Sequence, residues 1–159
     1  MKTLVFKSEN ESQTTRLGAA LSKSLPNGTT VSLCGTLGAG KTRLVQAIAE
    51  SSGVAPKTVV SPTFVLIQEY EGRRPIYHID AYRLADEDEF LQLGPEEYFD
   101  GEGLTLVEWA DRVEICMPRN RIEIHIKVTG ETTREFQVIA KGRGFEAVME
   151  ELEASLREC

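Results

Sequence analysis

No run in these 159 residues approaches the ~20 consecutive apolar residues that a membrane-spanning helix needs. The opening residues, Met-Lys-Thr-Leu-Val-Phe-Lys-Ser-Glu, alternate and turn acidic at once, without the apolar stretch of an export signal. Cysteine is scarce. Cys34, Cys116 and Cys159 are an odd number with no metal-ligand spacing, which predicts reduced thiols and a cytoplasmic setting. Cys34 closes an apolar run and is expected to be a small buried filler. Positive charge is also short: 18 Lys and Arg face 25 Asp and Glu, for a net charge of −7. No basic stripe interleaves with aromatics, so the chain is a poor sole binder of nucleic acid, and a role on RNA would need a partner protein to supply the contacts. There is no internal repeat and no low-complexity linker. The length and a 41% hydrophobic content predict one domain over residues 1–159, with a sizeable core.

What is present is concentrated at Gly35-Thr36-Leu37-Gly38-Ala39-Gly40-Lys41-Thr42, which fits G-x-x-x-x-G-K-[ST]. Glycines let successive backbone N–H groups turn inward as an anion-binding nest. Lys41 would carry its charge to the β- and γ-phosphates of a nucleotide, and the Thr42 hydroxyl would ligate Mg²⁺, a hard cation that takes oxygen. The context agrees. Thr29 to Cys34 is a β-prone run, and Lys41 to Glu50 puts Leu44, Val45, Ile48 and Ala49 on one helical face, whose N-terminal end points at the same phosphates. Arg43 stands where many such loops place a second Ser or Thr near the α-phosphate; its backbone N–H still donates.

Around this unit the pattern predicts a strand at Leu4 to Lys7, a helix opened by a capping box at Ser8 and Glu11 and ended at Pro26-Asn27-Gly28, and a hairpin of Phe64 to Glu71 with Pro75 to Asp80. Asp86 to Leu93 and Pro95 to Phe99 read as short helical pieces, and Leu104 to Glu108 as a short apolar strand. Arg121 to Val128 alternates strictly, so Arg121, Glu123, His125 and Lys127 should face solvent, and Arg134 to Ala140 should pair back on it. Phe145, Val148, Met149, Leu152 and Leu156 mark a final amphipathic helix. The fold class is α/β: a P-loop NTPase-type mixed sheet flanked by helices, parallel near the nucleotide and carrying antiparallel hairpins.

Phosphate chemistry also needs a carboxylate near Mg²⁺ and a group to place water. Two apolar segments end in one, Ile76-Tyr77-His78-Ile79-Asp80 and Leu104-Thr105-Leu106-Val107-Glu108. Local pattern does not rank Asp80 against Glu108, although Glu108 has the cleaner apolar lead. Thr63, in a stiff Ser-Pro-Thr turn, offers a hydroxyl to Mg²⁺ or the γ-phosphate, though such a threonine is more often plain loop. Trp109 reads as core or interface, or as a ring that stacks on the base or covers the phosphates. His78 reads as a hydrogen-bonded sheet histidine. Arg83 has Asp80, Glu108, a phosphate or a partner within its options. Arg73, Arg74 and Arg134 are phosphate candidates of a type that is more often solvated.

Gly35-Thr-Leu-Gly-Ala-Gly-Lys-Thr42, Ser61-Pro-Thr-Phe64, His78-Ile-Asp-Ala-Tyr-Arg83 and Val107-Glu-Trp109, in this order and spacing, resemble the bacterial TsaE (YjeE) family. The resemblance runs over nearly the whole chain. It implies binding and hydrolysis of ATP with Mg²⁺, in the threonylcarbamoyl modification of the adenosine next to the tRNA anticodon, by docking on a TsaD–TsaB pair that it resets between turnovers. By the same resemblance Gly35, Gly38, Ala39, Gly40, Lys41, Thr42 and Arg43 hold the nucleotide and Thr63 is a switch-like metal-side threonine. Asp80 is a Walker B-type acid, Glu108 a magnesium-site or water-orienting acid, and Trp109 closes over the nucleotide. Arg43 departs from the second threonine common in the family. A P-loop small-molecule kinase is the alternative, and it would need an acceptor pocket and an Arg-bearing lid. A guanine-reading switch is disfavoured, because none of Asn10, Asn27 and Asn120 precedes a lysine and Asp80 lacks a following Gly-type switch pattern. A scaffold that binds ATP without using its turnover is the remaining option.

Overall fold

The computed structural model describes residues 2–36, 38–56, 58–59, 67–82, 84 and 86–157. Leu37, Ser61 to Phe64 (and with them Thr63), Arg83 and Cys159 lie outside the described residues.

The chain runs β1 (Thr3–Ser8), α1 (Glu11–Ser24), β2 (Thr30–Gly35), α2 (Lys41–Ser51), β3 (Ile67–Glu71), β4 (Pro75–Asp80), α3 (Glu87–Gln92), α4 (Glu96–Phe99), β5 (Leu104–Glu108), a 3₁₀ segment (Ala110–Cys116), β6 (Arg121–Val128), β7 (Arg134–Lys141) and α5 (Glu146–Arg157). The strands make one seven-stranded sheet in the order β1-β7-β6-β2-β5-β4-β3. β6, β2, β5 and β4 are mutually parallel, while β1 with β7, β7 with β6, and β3 with β4 are antiparallel. This is the mixed sheet expected from the pattern. The glycine-loop strand β2 lies at its centre and is buried on both faces, and its outward-alternating residues Thr30 and Ser32 are accordingly small.

Each face carries its own apolar layer. Leu17, Leu21, Val31, Leu33, Leu44, Ile48, Leu104, Leu106, Ile122, Ile124 and Met149 form the larger, where α1, α2 and α5 cover the sheet. Cys34, Ile79, Val107, Phe90, Val113 and Met117 form the smaller, under α3 and the 3₁₀ segment. The Cys34 side chain is the buried filler expected of it. Burial, with the Asp111 and Glu123 charges behind it, pushes its thiol up to about 12.

Three local expectations are corrected. The cap of α1 is Asn10, whose side chain accepts from the Gln13 N–H at 2.9 Å, while Gln13 Oε1 accepts from the Glu9 N–H at 2.7 Å; Ser8 instead donates its hydroxyl to Asn10 O. The Asx side chain sits one residue before the first helical turn, where its reach to N3 is best. The polar face of β6 is not open to solvent as a whole: Glu123 is buried, because the 3₁₀ segment folds over it, and Arg121 and His125 both hydrogen-bond its carboxylate. Val128, which the strict alternation sets on the face opposite Arg121, Glu123, His125 and Lys127, is exposed at the strand end.

Candidate active site

The glycine loop closes at the C-terminal end of β2. Gly38 and Gly40 take positive φ values of 80° and 109°, which a side chain would resist, and both have open space where a Cβ would stand. Gly35 is needed for a different reason: a Cβ there would lie 2.9 Å from Ile126 O on the neighbouring strand. Gly40 is also the N-cap of α2 and offers no side chain to the first turn, so the helix's initial N–H groups are left for an outside acceptor.

Lys41 is 5% exposed. Its Nζ donates to Gly35 O at 2.7 Å and Thr36 O at 2.9 Å, and stands 3.8 Å from the centre of the Trp109 ring. Burial pulls its pKa below the ordinary lysine value, against the opposing charges of Glu108, Asp111 and Asp80. Trp109 leaves β5 in the left-handed region, φ 59°, the single positive φ on a non-glycine residue among the described residues. For a bulky side chain that conformation is costly, of order 1–3 kcal/mol, and such strain gathers at functional sites. It turns the indole over Lys41, with Tyr82 packed on the other ring contact at 4.8 Å.

The strand order decides which acid meets the loop. β5 is the direct neighbour of β2, with Leu33 opposite Glu108, and β4 lies one strand further out, with Asp80 opposite Glu108. Thr42 donates its hydroxyl to both Glu108 carboxylate oxygens, at 3.0 and 2.9 Å. Asp80 Oδ1 accepts from the Tyr82 N–H at 2.9 Å. Burial, more than the nearby Glu108 charge, raises the Asp80 carboxyl above its ordinary value, with the Tyr82 N–H bond pulling the other way. Both acids are under 10% exposed, at 3% and 8%. Period-2 alternation puts His78 and Asp80 on the same face of β4, and His78 Nε2 is 2.5 Å from Glu108 Oε2. The sheet histidine is therefore hydrogen-bonded as expected, and its partner is the acid on Thr42.

Arg134, ninety-five positions from Ala39 in sequence, donates through Nε to Ala39 O at 3.0 Å and so belongs to the loop's surroundings. Arg43 turns away from the loop toward α1, donating to Thr15 Oγ1 and Glu11 O. Together with Gly38 to Gly40 and the N-terminal turn of α1, these arginines line a cavity of about 680 Å³ beside the loop. Arg73 and Arg74 do not come to the loop. They hold carbonyls at the far ends of α1 and α2: Arg73 on Ser51 O, Arg74 on Ser22 O and Leu25 O. That is a helix C-terminal role, and it removes them from the phosphate candidates.

The donor set suits magnesium. Thr42 Oγ1, Glu108 and Asp80 offer hard oxygens only, and no group of three or more His, Cys, Asp or Glu forms a protein cage among the described residues. Mg²⁺ is commonly held this way, by one or two carboxylates with phosphate and water completing the shell. No described helix is long and apolar enough to cross a membrane.

Comparison with known proteins places this architecture. The family model described as threonylcarbamoyl adenosine biosynthesis protein TsaE matches residues 8–136. The Bacillus subtilis tRNA threonylcarbamoyladenosine biosynthesis protein TsaE is 40% identical over 153 residues, covering 96% of this chain and 95% of that protein. The Treponema pallidum protein of the same name is 36% identical, over 82% of this chain and 96% of its own. Among solved structures, that of Bacillus subtilis YdiB superposes with a TM-score of 0.80 at 34% identity, covering 96% of this chain and 95% of that one. On matches of this length and identity, the chain belongs to the TsaE family, within tRNA threonylcarbamoyladenosine biosynthesis.

Proposed function

We propose that this chain binds Mg·ATP in the glycine cradle and hydrolyses it, slowly when alone, as the nucleotide-driven component of tRNA threonylcarbamoyladenosine formation, docked on a TsaD–TsaB pair. The observation that carries the reading is the Thr42 hydroxyl held by the buried Glu108 carboxylate directly below the uncapped start of α2. A P-loop hydroxyl and a strand-end acid in hydrogen-bond contact make the oxygen pair that a nucleotide-borne Mg²⁺ needs.

In this mechanism the first-turn N–H groups, that of Arg43 among them, and the nest of Gly38 to Gly40 take the phosphates, with Gly35 and the Arg134-braced Ala39 fixing the loop. Lys41 exchanges its two loop carbonyls for phosphate oxygens, and the indole of Trp109 closes the space that Lys41 leaves. Mg²⁺, when bound, would supply charge to offset that of the phosphates. Thr42 and Glu108 would hold the metal, and Asp80, one strand further out, would orient the attacking water. Thr63 is retained as the switch-like threonine. The cavity between α1 and the β6–β7 turn gives the nucleoside its seat. Docking on TsaD and TsaB is what the family resemblance implies; the pathway in the relatives' names and a net charge of −7, which leaves tRNA contacts to a partner, support it.

The test is ATP turnover and tRNA modification in a system reconstituted with TsaD and TsaB. Lys41→Ala should abolish nucleotide binding. Glu108→Ala and Asp80→Ala should keep much of the binding and lose hydrolysis. Full tRNA modification by the two acid variants would instead make the protein an ATP-bound scaffold, and phosphoryl transfer dependent on an added small acceptor would make it a kinase.

A further inference from the structure

His78 is fully buried and takes no place among the phosphate and metal groups, yet it touches the acid at their centre. The side chains of His78 and Glu108 are 0% and 4% exposed. Glu108 is reached from two sides: Thr42 spans both oxygens, and His78 Nε2 meets Oε2 at 2.5 Å. An ionised carboxylate only accepts, so the Nε2 atom carries the proton and donates it. On the opposite edge of the ring, Nδ1 is 3.2 Å from the Tyr70 hydroxyl oxygen, and that hydroxyl donates its proton to Gln68 Oε1. Tyr70 and Gln68 stand on β3, with Gln68 opposite His78 in the hairpin register. A continuous line of polar contacts therefore runs from the outer hairpin, through the imidazole, to the threonine of the glycine loop.

A carboxylate beside a metal is useful only if its rotation is fixed, and the partners behind it do the fixing. We infer that His78, braced by Tyr70, is the positioning residue for Glu108: its Nε2–H pins one oxygen so that the carboxylate edge stays aligned with Thr42. His78 acts through Glu108 and not on the nucleotide. This role rests on the Mg·ATP reading above.

Asparagine and glutamine separate the two edges of the ring. The His78→Asn amide corresponds to the Nδ1 edge and falls short of Glu108; the His78→Gln amide reaches the Nε2 position. The full chain is titrated with ATP without metal, following Trp109 emission, and the ATP-loaded protein is then titrated with Mg²⁺; kcat and KM are measured beside them. For His78→Asn the metal-free ATP affinity and KM should hold, while the Mg²⁺ needed for half-saturation rises and kcat falls, each by roughly ten- to a hundredfold. His78→Gln should recover most of both, and Tyr70→Phe should lose a smaller part. Equal values for His78→Asn and wild type, or equal impairment of the Asn and Gln variants, would overturn the positioning role. If neither residue-78 variant folds, Tyr70→Phe decides: a weakened Mg²⁺ response supports the role and a wild-type response overturns it. A wild-type protein with no metal response contradicts the Mg·ATP reading itself, whereas a metal response indifferent to residue 78 contradicts only the inference.

Discussion

Lys41 spends its ammonium on Gly35 O and Thr36 O under the face of Trp109, so the proposed nucleotide would have to compete with the loop for its lysine. Trp109 is the sole tryptophan of the chain. Its emission should therefore change on ATP addition, and the change should be absent in Lys41→Ala. Asp80 allows a second prediction. Burial raises its carboxyl above the value it has in the unfolded chain, so from the unfolded pKa upward the native state binds the extra proton. Stability is lost as pH rises through that window, and the penalty is complete above it. Asp80→Asn keeps an oxygen for the Tyr82 N–H and removes the charge. Thermal unfolding of the nucleotide-free protein should give a higher Tm for Asp80→Asn near about pH 7, with the gap closing toward about pH 3; a lower Tm at both would show the charge to be compensated. At this scale the sequence is a good guide where chemistry is local. The glycine loop and the two strand-end acids are visible because fixed spacing and apolar leads mark them. The preference for Glu108 beside Thr42 is invisible, because it depends on β5 rather than β4 pairing with β2. The same nonlocality leaves Arg134 unranked against Arg73 and Arg74 among the phosphate candidates, because only the β6–β7 turn brings it to Ala39.

The helices α1 and α2 meet over Gly18. A Cβ there would stand 2.4 Å from the Ala47 Cβ and 2.8 Å from the Ala47 backbone carbon, so the helices themselves would have to part. Gly18→Val should cost roughly 1–3 kcal/mol, the usual range for overpacking, despite valine's better helix propensity than glycine's. Urea unfolding measures it, and a neutral result would mean that the α1–α2 contact yields easily. The N-cap at Asn10 is worth about 1 kcal/mol by the same measurement on Asn10→Ala, whereas Ser8→Ala removes no helix cap. Most elements are legible from period and punctuation: the strict alternation of β6 and the apolar stripe of α5 leave little choice. The 3₁₀ segment Ala110–Cys116 is not. It is short, kinked at Val113 with φ −129°, and held by packing against α3 and the buried Glu123 rather than by propensity. The solvent-facing assignment of Glu123 fails for that reason.

At the scale of the whole molecule, a sheet parallel at its centre and antiparallel at both edges gathers strand ends at one rim, where β2, β5 and β4 deliver the loop, Glu108 and Asp80. This mixed α/β class is legible from the strand-loop-helix unit and the flanking hairpins; the order of the strands is not, because it is set by which faces the helices cover. The charge of −7 carries its own prediction: the isolated protein should not retain tRNA in a filter-binding assay at physiological salt, while a pull-down with ATP present should retain TsaD and TsaB. Salt-sensitive tRNA binding by the chain alone would contradict it. The central claim is that Gly35 to Thr42 hold Mg·ATP with Lys41 as the phosphate-reading charge. Calorimetric titration of Mg·ATP into the wild type and into Lys41→Ala tests it most directly. The account predicts saturable binding to the first and none to the second; equal binding to both, or none to the wild type, would contradict it.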